Sequence, residues 1–208
     1  MKPDRLPLLH RVADAVAEAF ARVTDLGPSG VREGQYALDV VANDAALPLL
    51  RAEGLGVLSE ESEFERGSGG EVVVIDPIDG STNASRGLPW YATALCVVAD
   101  GSPSTALVVN QATGDRFWAT SGGGAFRNGR AITVSGCRVA GDAIVMLNGI
   151  PARPLGVRQT RCYGAAALDL CMVASGVADG YVDCDDRTPG GAHGVWDYLA
   201  AMLVLQEA

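Results

Sequence analysis

The residues best suited to chemistry lie in one short segment, Asp76-Pro-Ile-Asp-Gly-Ser-Thr82. Asp76 and Asp79 follow an apolar run that predicts a buried strand, and Pro77 between them predicts a bend. A regular strand would point the two aspartates to opposite faces, whereas a bend can turn both toward one point. Close carboxylates repel each other unless a cation lies between them, and oxygen ligands favour Mg²⁺, Mn²⁺ or Ca²⁺ over zinc. The segment therefore predicts a hard-cation site, with an Asp-capped turn as the alternative.

The three residues after these aspartates suit the binding of an anion. Gly80 lets the backbone approach a ligand closely. If Ser81 or Thr82 begins a helical turn, the free N–H groups there form an anion site. A second glycine-rich stretch, Gly122-Gly123-Gly124, is interpreted as a turn before a hairpin, because a phosphate-binding loop needs a helix directly behind it.

Two further acidic positions adjoin predicted elements. Glu60 and Glu61 come directly after a short apolar strand, where a pair of glutamates usually forms a solvated loop. Asp197 begins an apolar helix near residue 208, where an aspartate is usually an N-cap. Taken with Asp76 and Asp79, these positions point to a site built from several carboxylates.

The elements that position these residues follow from apolar periodicity. Helices are predicted at residues 6–23, 39–52, 165–174 and 196–207, and Pro48 is expected to kink the second. Strands are predicted at residues 57–58, 71–75, 93–99, 105–110, 116–119, 143–147 and 180–182, and Asn128-Gly129 predicts a tight hairpin. Because proline gives no N–H to a ladder, the 71–75 strand is expected to end at Asp76-Pro77. The order predicts an α+β fold with two lobes, residues 1–138 and 139–208.

Composition excludes several classes of protein. A formal net charge of −9 disfavours nucleic-acid binding, because the surface repels phosphate backbones. Five scattered cysteines and two histidines lack the spacing of a zinc site and indicate reduced thiols in a cytoplasmic protein. The first twenty residues lack the apolar core of a signal peptide, and no apolar run is long enough to span a membrane.

Six segments together resemble one known family. Asp76 to Thr82 resembles the DPIDGT signature of the inositol monophosphatase family, within a lithium-sensitive, metal-dependent phosphatase superfamily. Glu60-Glu61-Ser62 is similar to its GEES segment, and Trp196-Asp197 with Ala200 and Glu207-Ala208 to its WDxxAxxxxxxEA signature. Residues 39–44, 124–129 and 164–169 resemble three more family segments in the same order. The resemblance covers residues 35–208 and implies the layered α/β/α/β/α sugar-phosphatase fold. It also implies a shortened C-terminal lobe, because relatives continue beyond the position of Ala208.

The resemblance assigns roles to residues by position. The implied metal ligands are Glu60, Asp76, Asp79, Asp197 and the backbone carbonyl of Ile78. The implied catalytic residues are Glu60, Asp79 and Ser81; Ser81, in place of the family's threonine, would orient the attacking water with Glu60. The implied substrate contacts are Asp79, Gly80, Ser81, Thr82, Gly164, Ala166 and Asp183.

The resemblance implies Mg²⁺-dependent hydrolysis of a small phosphate monoester by a metal-activated water. Two or three Mg²⁺ ions per site are implied, with Mn²⁺ as a substitute, and inositol monophosphate or a related cyclitol or sugar phosphate is the leading substrate class. Histidinol phosphate and a 3′-phosphoadenosine nucleotide are alternative substrates, and a non-catalytic regulatory protein on the same fold is a rival function. A homodimer that binds a small phosphorylated metabolite, without nucleic acid or membrane, is expected.

The chain departs from the family pattern at three places. The family's upstream Lys or Glu near the metals has no clear match, although Arg32, Glu33 and Gln35 lie nearby. His193 stands four residues before Asp197, whereas the common family histidine stands three before. The connection 184–194 is longer than usual, which suggests either a neutral insertion or a specificity loop in which Arg187 meets a second anionic group.

Overall fold

The computed structural model describes residues 3–32, 34–184 and 193–208. The five helices are α1 (Leu6–Phe20), α2 (Ala37–Ala52), α3 (Ser81–Arg86), α4 (Ala166–Ala174) and α5 (Val195–Glu207). The first seven strands are β1 (Gly56–Ser59), β2 (Glu71–Asp79), β3 (Ala92–Ala99), β4 (Ser102–Asn110), β5 (Arg116–Thr120), β6 (Ala125–Arg127) and β7 (Arg130–Ala131). The last three are β8 (Ile144–Asn148), β9 (Gln159–Arg161) and β10 (Gly180–Asp183).

A seven-stranded sheet carries the strands in sequence order from β1 to β7. Strand β1 pairs with β2 in parallel, and every later neighbour is antiparallel. The predicted Asn-Gly hairpin is confirmed: Asn128 and Gly129 both have positive φ, at 51° and 77°, between β6 and β7. Both central residues of a type I′ turn need that backbone conformation.

Helices cover both faces of this sheet. On one face, α1 and α2 pack against alternate residues such as Val73, Ile75 and Leu95. On the other, α4 and α5 pack against the intervening residues, including Ala94 and Cys96. A second, three-stranded parallel sheet in the order β10-β8-β9 contacts the far side of α4. The described residues thus form layers in the order α/β/α/β, and the predicted α+β class is confirmed.

The expected end of strand β2 at Asp76-Pro77 is wrong. The strand continues to Asp79, with an irregularity in register between Asp76 and Asp79. Asp76 pairs with Ala94 and Asp79 pairs with Ala92, so β2 carries one residue more than β3 over this interval. Such a bulge accommodates proline within a paired strand, because the missing N–H falls at an unpaired position.

The C-terminal end of α5 is hydrogen-bonded to the glycine-rich turn before β6. The backbone N–H groups of Gly122 and Gly124 donate to the two carboxylate oxygens of Glu207, at 2.8 and 3.1 Å. These hydrogen bonds hold the pKa of Glu207 below its usual value. The turn predicted for Gly122-Gly123-Gly124 is confirmed, and the anion that it binds is the protein's own carboxylate.

The predicted lobes, residues 1–138 and 139–208, stay a prediction. Helix α5, from the second range, packs on strands β2 to β6 of the first. Among the described residues, no helix has the length and apolar character needed to cross a membrane.

We expect Glu207→Ala to lower the free energy of unfolding by about 1 kcal/mol, because two charge-assisted hydrogen bonds at a partly exposed site are lost. That loss corresponds to a fall of about 2–4 °C in Tm for a chain of this length. Thermal unfolding followed by circular dichroism measures the change. The neighbouring Gln206→Ala is the control, since Gln206 is exposed on the same helical turn. Equal Tm values for the two variants would contradict the proposed fastening.

Candidate metal centre

Three of the four predicted acidic ligands meet at one place. Glu60 follows β1 directly, Asp76 lies within β2, and Asp197 lies in the first turn of α5. Each offers a carboxylate oxygen, and these oxygens all lie within 4.8 Å of one another. The three residues come from elements far apart in the sequence, so the complete fold is needed to form the cluster.

The pairing of β1 with β2 places Glu60 beside the sheet. The N–H of Glu60 donates to the carbonyl of Ile75 at 3.2 Å, which continues the parallel pairing one residue past β1. Burial, together with the charges of Asp197 and Glu61, raises the pKa of Glu60 to about 7. Without a cation, the Glu60 carboxyl is therefore partly protonated near neutral pH.

The surroundings of Asp76 favour a positively charged partner. Its side chain is buried; Oδ1 accepts a hydrogen bond from the N–H of Ile78 at 2.9 Å, whereas Oδ2 has no hydrogen-bond partner. Burial raises the pKa of Asp76 well above its usual value, and the charges of Glu60, Asp79 and Asp197 add to the shift. A buried oxygen without a donor, facing two other carboxylates, fits a hard divalent cation.

Asp79 lies next to this cluster but has a different partner. Its Oδ2 accepts a hydrogen bond from the N–H of Ala167 at 2.7 Å, in the first turn of α4. Burial raises the pKa of Asp79 well above normal, the charge of Asp197 raises it further, and the bond from Ala167 opposes the shift. Asp79 thus caps α4 while its charge acts on the cluster. Its predicted ligand and catalytic roles, and that of the Ile78 carbonyl, stay predictions.

Asp197 is both a helix-capping residue and a member of the acidic cluster, the two roles that the sequence suggested for it. Its Oδ2 accepts a hydrogen bond from the N–H of Gly194 at 2.6 Å, so it caps α5 from within the first turn. Its carboxylate also belongs to the acidic cluster. The capping bond fixes the side chain, and the N-terminus of a helix favours a negative charge.

The segment after Asp79 has the backbone expected of a phosphate-binding turn. Gly80 has φ of 85°, and a Cβ there would lie 3.1 Å from Ala165 Cβ, the Gly164 carbonyl oxygen and the Trp90 carbonyl oxygen. Only glycine fits this backbone and this contact. Ser81 begins α3, as the sequence predicted for Ser81 or Thr82.

The predicted substrate contacts lie around the N-terminal ends of α3 and α4. Ala166 is the first residue of α4, and Gly164 precedes it with φ of 81°. The Thr82 hydroxyl lies 3.2 Å from the Tyr36 hydroxyl. Asp183 ends β10, where its Oδ1 accepts a hydrogen bond from Asn148 Nδ2 at 3.0 Å. Their roles toward a substrate stay predictions.

His193 lies between Asp183 and the acidic cluster. Its Nε2 is 3.0 Å from the Tyr181 hydroxyl and 3.8 Å from Asp183 Oδ2, and its Nδ1 is 3.5 Å from Asp197 Oδ2. The hydrogen bond with Asp197 raises the pKa of His193. Of the predicted 184–194 loop, residues 185–192, including Arg187, lie outside the described residues.

Two acids near the cluster were not singled out as site residues from the sequence. The Glu61 side chain is 4% exposed, and it pairs with Arg32 at 2.9 Å and with Gln35, so the solvated-loop alternative for Glu61 is wrong. Asp39 is buried in α2, and burial raises its pKa to about 7. Hydrogen bonds from the Tyr36 N–H and the Ser81 hydroxyl oppose this shift. The signal for Asp39 was an acid on an otherwise apolar helix face.

These residues surround an open cavity of about 350 Å³. Its walls are Arg32, Gly34, Gln35, Asp39, Glu60, Glu61, Ser81 and Trp196. The cavity therefore joins one cluster carboxylate, Glu60, to the turn that begins at Gly80 and Ser81. That arrangement can hold a cation and an anion side by side.

We expect the metal-free protein to lose stability as pH rises. Glu60 and Asp39 have folded pKa values of about 7, above their unfolded values, so their contribution is complete below about pH 4 and is lost as pH rises through about 7. The Tm in excess chelator should therefore fall as pH rises through about 7. Excess Mg²⁺ should remove most of this fall, because a cation then balances the ionised cluster. A chelated protein whose Tm is constant over this range would contradict the electrostatic account.

Comparison with known proteins supports one family. The inositol monophosphatase family model matches residues 36–208. A fructose-1,6-bisphosphatase/inositol-1-monophosphatase of Archaeoglobus fulgidus is 35% identical over 99% of this chain and 82% of its own length. A Nus factor SuhB of Xylella fastidiosa is 32% identical, over 74% of this chain and 58% of its own length. The crystal structure of the extragenic suppressor protein suhB from Bartonella henselae superimposes with a TM-score of 0.81 at 26% identity, over 98% of this chain and 84% of that one. The chain belongs to the inositol monophosphatase family.

Proposed function

We propose that the protein hydrolyses a small phosphate monoester with Mg²⁺ as cofactor. Inositol monophosphate or a related cyclitol or sugar phosphate is the proposed substrate class. Membership of the family supports the phosphatase chemistry, and the A. fulgidus relative carries both activities in its name. The observation that carries the proposal is the unpartnered Asp76 Oδ2, buried among two further carboxylates.

The donor set fits the cofactor. Glu60, Asp76 and Asp197 offer only carboxylate oxygens, with Asp79 beside them, which suits Mg²⁺ or Mn²⁺. When bound, two such ions supply a nucleophile at neutral pH and neutralise charge on the leaving oxygen.

The chain's own groups bind and orient the reactants in this proposal. The N–H groups of Gly80 and Ser81 hold phosphate oxygens, since glycine permits a close backbone approach. Glu60 and the Ser81 hydroxyl, which line the same cavity, orient the attacking water. Asp183 and Ala166 contact the remainder of the substrate. The hydrogen bond from the Ala167 N–H to Asp79 joins the metal side of the proposed site to its substrate side.

A regulatory role without catalysis is the second candidate. It is favoured by the similarity to proteins named Nus factor SuhB. The retained carboxylate cluster weighs against it, because close like charges are costly unless a cation uses them. A homodimer, a cytoplasmic location and inhibition by Li⁺ complete the proposal.

A phosphate-release screen tests the proposed function. Inositol 1-phosphate, fructose 1,6-bisphosphate, histidinol phosphate and 3′-phosphoadenosine 5′-phosphate are compared with Mg²⁺ and with excess chelator. We expect turnover of at least one sugar or cyclitol phosphate, and loss of that turnover in chelator. Mg²⁺ binding without turnover of any substrate would favour the regulatory role, and full turnover in chelator would refute the metal assignment.

We expect Asp79→Asn to lower kcat by at least about 100-fold, because lost charge stabilisation of several kcal/mol has that effect. The fold should survive, since the asparagine carbonyl can still accept the bond from Ala167 and repulsion within the cluster is relieved. Rate and Tm are measured together. Asp142→Asn is the control for the same chemical change at an exposed residue. A near-normal rate for Asp79→Asn, or a collapse of its Tm, would contradict the assignment.

A further inference from the structure

The carboxyl ends of strands β8 and β10 form a polar edge of the three-stranded sheet. The two strands are parallel neighbours, and their last residues, Asn148 and Asp183, are partners in the register. The N–H of Cys184 donates to the Asn148 carbonyl at 2.8 Å, so the backbone pairing extends past the end of β10. In α/β proteins, ligands commonly bind outside the carboxyl ends of parallel strands.

Asp183 connects this edge to the acidic cluster through one imidazole ring. Its Oδ2 lies 3.8 Å from His193 Nε2, and His193 Nδ1 lies 3.5 Å from Asp197 Oδ2. Asp197 belongs to the cluster. The edge is therefore one histidine ring away from a proposed metal ligand, and the ring of a phosphate ester held at the cluster can reach it.

The side chain of Asn148 supplies two kinds of hydrogen-bonding group at this edge. Its Nδ2 group donates to Asp183 Oδ1 at 3.0 Å, which uses one of its two N–H bonds. Its side-chain carbonyl accepts no hydrogen bond from the residues that the structure describes. Because Asn148 is half-buried, part of its side chain is open to a ligand. The amide thus offers one donor and one acceptor beside the acceptor oxygens of a carboxylate.

This combination matches neighbouring hydroxyl groups. A hydroxyl both donates and accepts, so one hydroxyl can donate to Asp183 while the next pairs with the amide of Asn148. An ammonium group, such as that of histidinol phosphate, only donates and cannot satisfy the remaining N–H of Asn148. A site that hydrogen-bonds a hydroxyl rejects an analogue without it, because the polar groups of the site would lose their partners.

We propose that Asn148 is a specificity-determining residue that, together with Asp183, binds two neighbouring hydroxyl groups of a cyclitol or sugar phosphate. The inference rests on the proposed function, which places the phosphate group at the cluster and at Gly80 and Ser81. The family resemblance implied a substrate contact for Asp183 alone. Asn148 carries no sequence signal of its own, since a polar residue at the end of an apolar strand is ordinary.

The test compares two phosphonates by isothermal titration calorimetry, with the full chain in Mg²⁺. In the first, a CH₂ group replaces the ester oxygen of inositol 1-phosphate, which blocks hydrolysis and keeps every ring hydroxyl. The second, methylphosphonate, carries only the anionic group. We expect Asn148→Ala to raise the Kd of the inositol analogue about 10-fold, the effect of losing two hydrogen bonds, and to leave the Kd of methylphosphonate unchanged.

Two further variants separate the amide from its packing. Asn148→Leu has a similar size and no polar atom, so it should weaken the inositol analogue as much as Asn148→Ala does. Gln206→Ala is the control, because it removes an exposed amide from α5 and should bind both ligands as the native chain does.

A third ligand makes the test independent of how the variants fold. Cyclohexylmethylphosphonate has the ring of the inositol analogue without its hydroxyls. It should bind the native chain about 10-fold more weakly than the inositol analogue, because the hydrogen bonds to Asn148 and Asp183 are missing.

The possible results distinguish this inference from the proposed function. Equal affinity of the native chain for the inositol and cyclohexyl analogues would overturn the recognition of hydroxyls. An equal loss of both inositol analogue and methylphosphonate in Asn148→Ala would make Asn148 a structural contact between strand ends. Failure of every phosphonate to bind in Mg²⁺ would count against the proposed function and this inference together. Selective loss in Asn148→Ala without turnover of inositol 1-phosphate would contradict only the proposed catalysis.

Discussion

The mutual repulsion of clustered carboxylates is the constraint on which this structure depends. Glu60, Asp76 and Asp197 bring oxygens within 4.8 Å of one another, and because Asp76 is buried and the other two are half-buried, water screens these charges less than it would at the surface. The repulsion within such a site is relieved either when protons neutralise the carboxylates or when cations bind between them. Backbone donors at Ile78 and Gly194 hold the carboxylates of Asp76 and Asp197 in place.

Close contacts connect the acidic cluster to the N-terminal end of α4. Gly80 lies against the backbone of Gly164 and Trp90, Asp79 accepts a hydrogen bond from Ala167, and Asn83 donates to carbonyls on both sides. A Cβ at residue 80 would crowd these segments at 3.1 Å, and its positive φ favours glycine. Precise positioning of reacting groups needs a rigid support of this sort.

The sequence predicted the elements whose signals are local. Apolar runs located the strands other than the polar β9, and Asn128-Gly129 located the β6–β7 turn, because both signals depend on neighbouring residues. The predicted end of β2 at Asp76-Pro77 was wrong, because a bulge in the pairing with β3 allows the strand to continue past Pro77. The contact of Asp79 with Ala167 joins residues 88 apart, and the burial of Glu61 depends on Arg32 and Gln35. Such features depend on packing, which single-residue signals do not encode. The meeting of Glu60, Asp76 and Asp197 agrees with the family resemblance.

The position of α5 in the chain has a consequence for biosynthesis. This helix covers the face of the large sheet that carries Ala94, Cys96 and Val108, yet it comprises Val195–Glu207. While the ribosome adds the intervening residues, that apolar face has no α5 to cover it, and nascent chains with such surfaces are prone to aggregation. Asp197 arrives on the same helix, so the acidic cluster is completed only when the sheet is covered. A cation therefore cannot bind all three acids until Asp197 has been added to the chain.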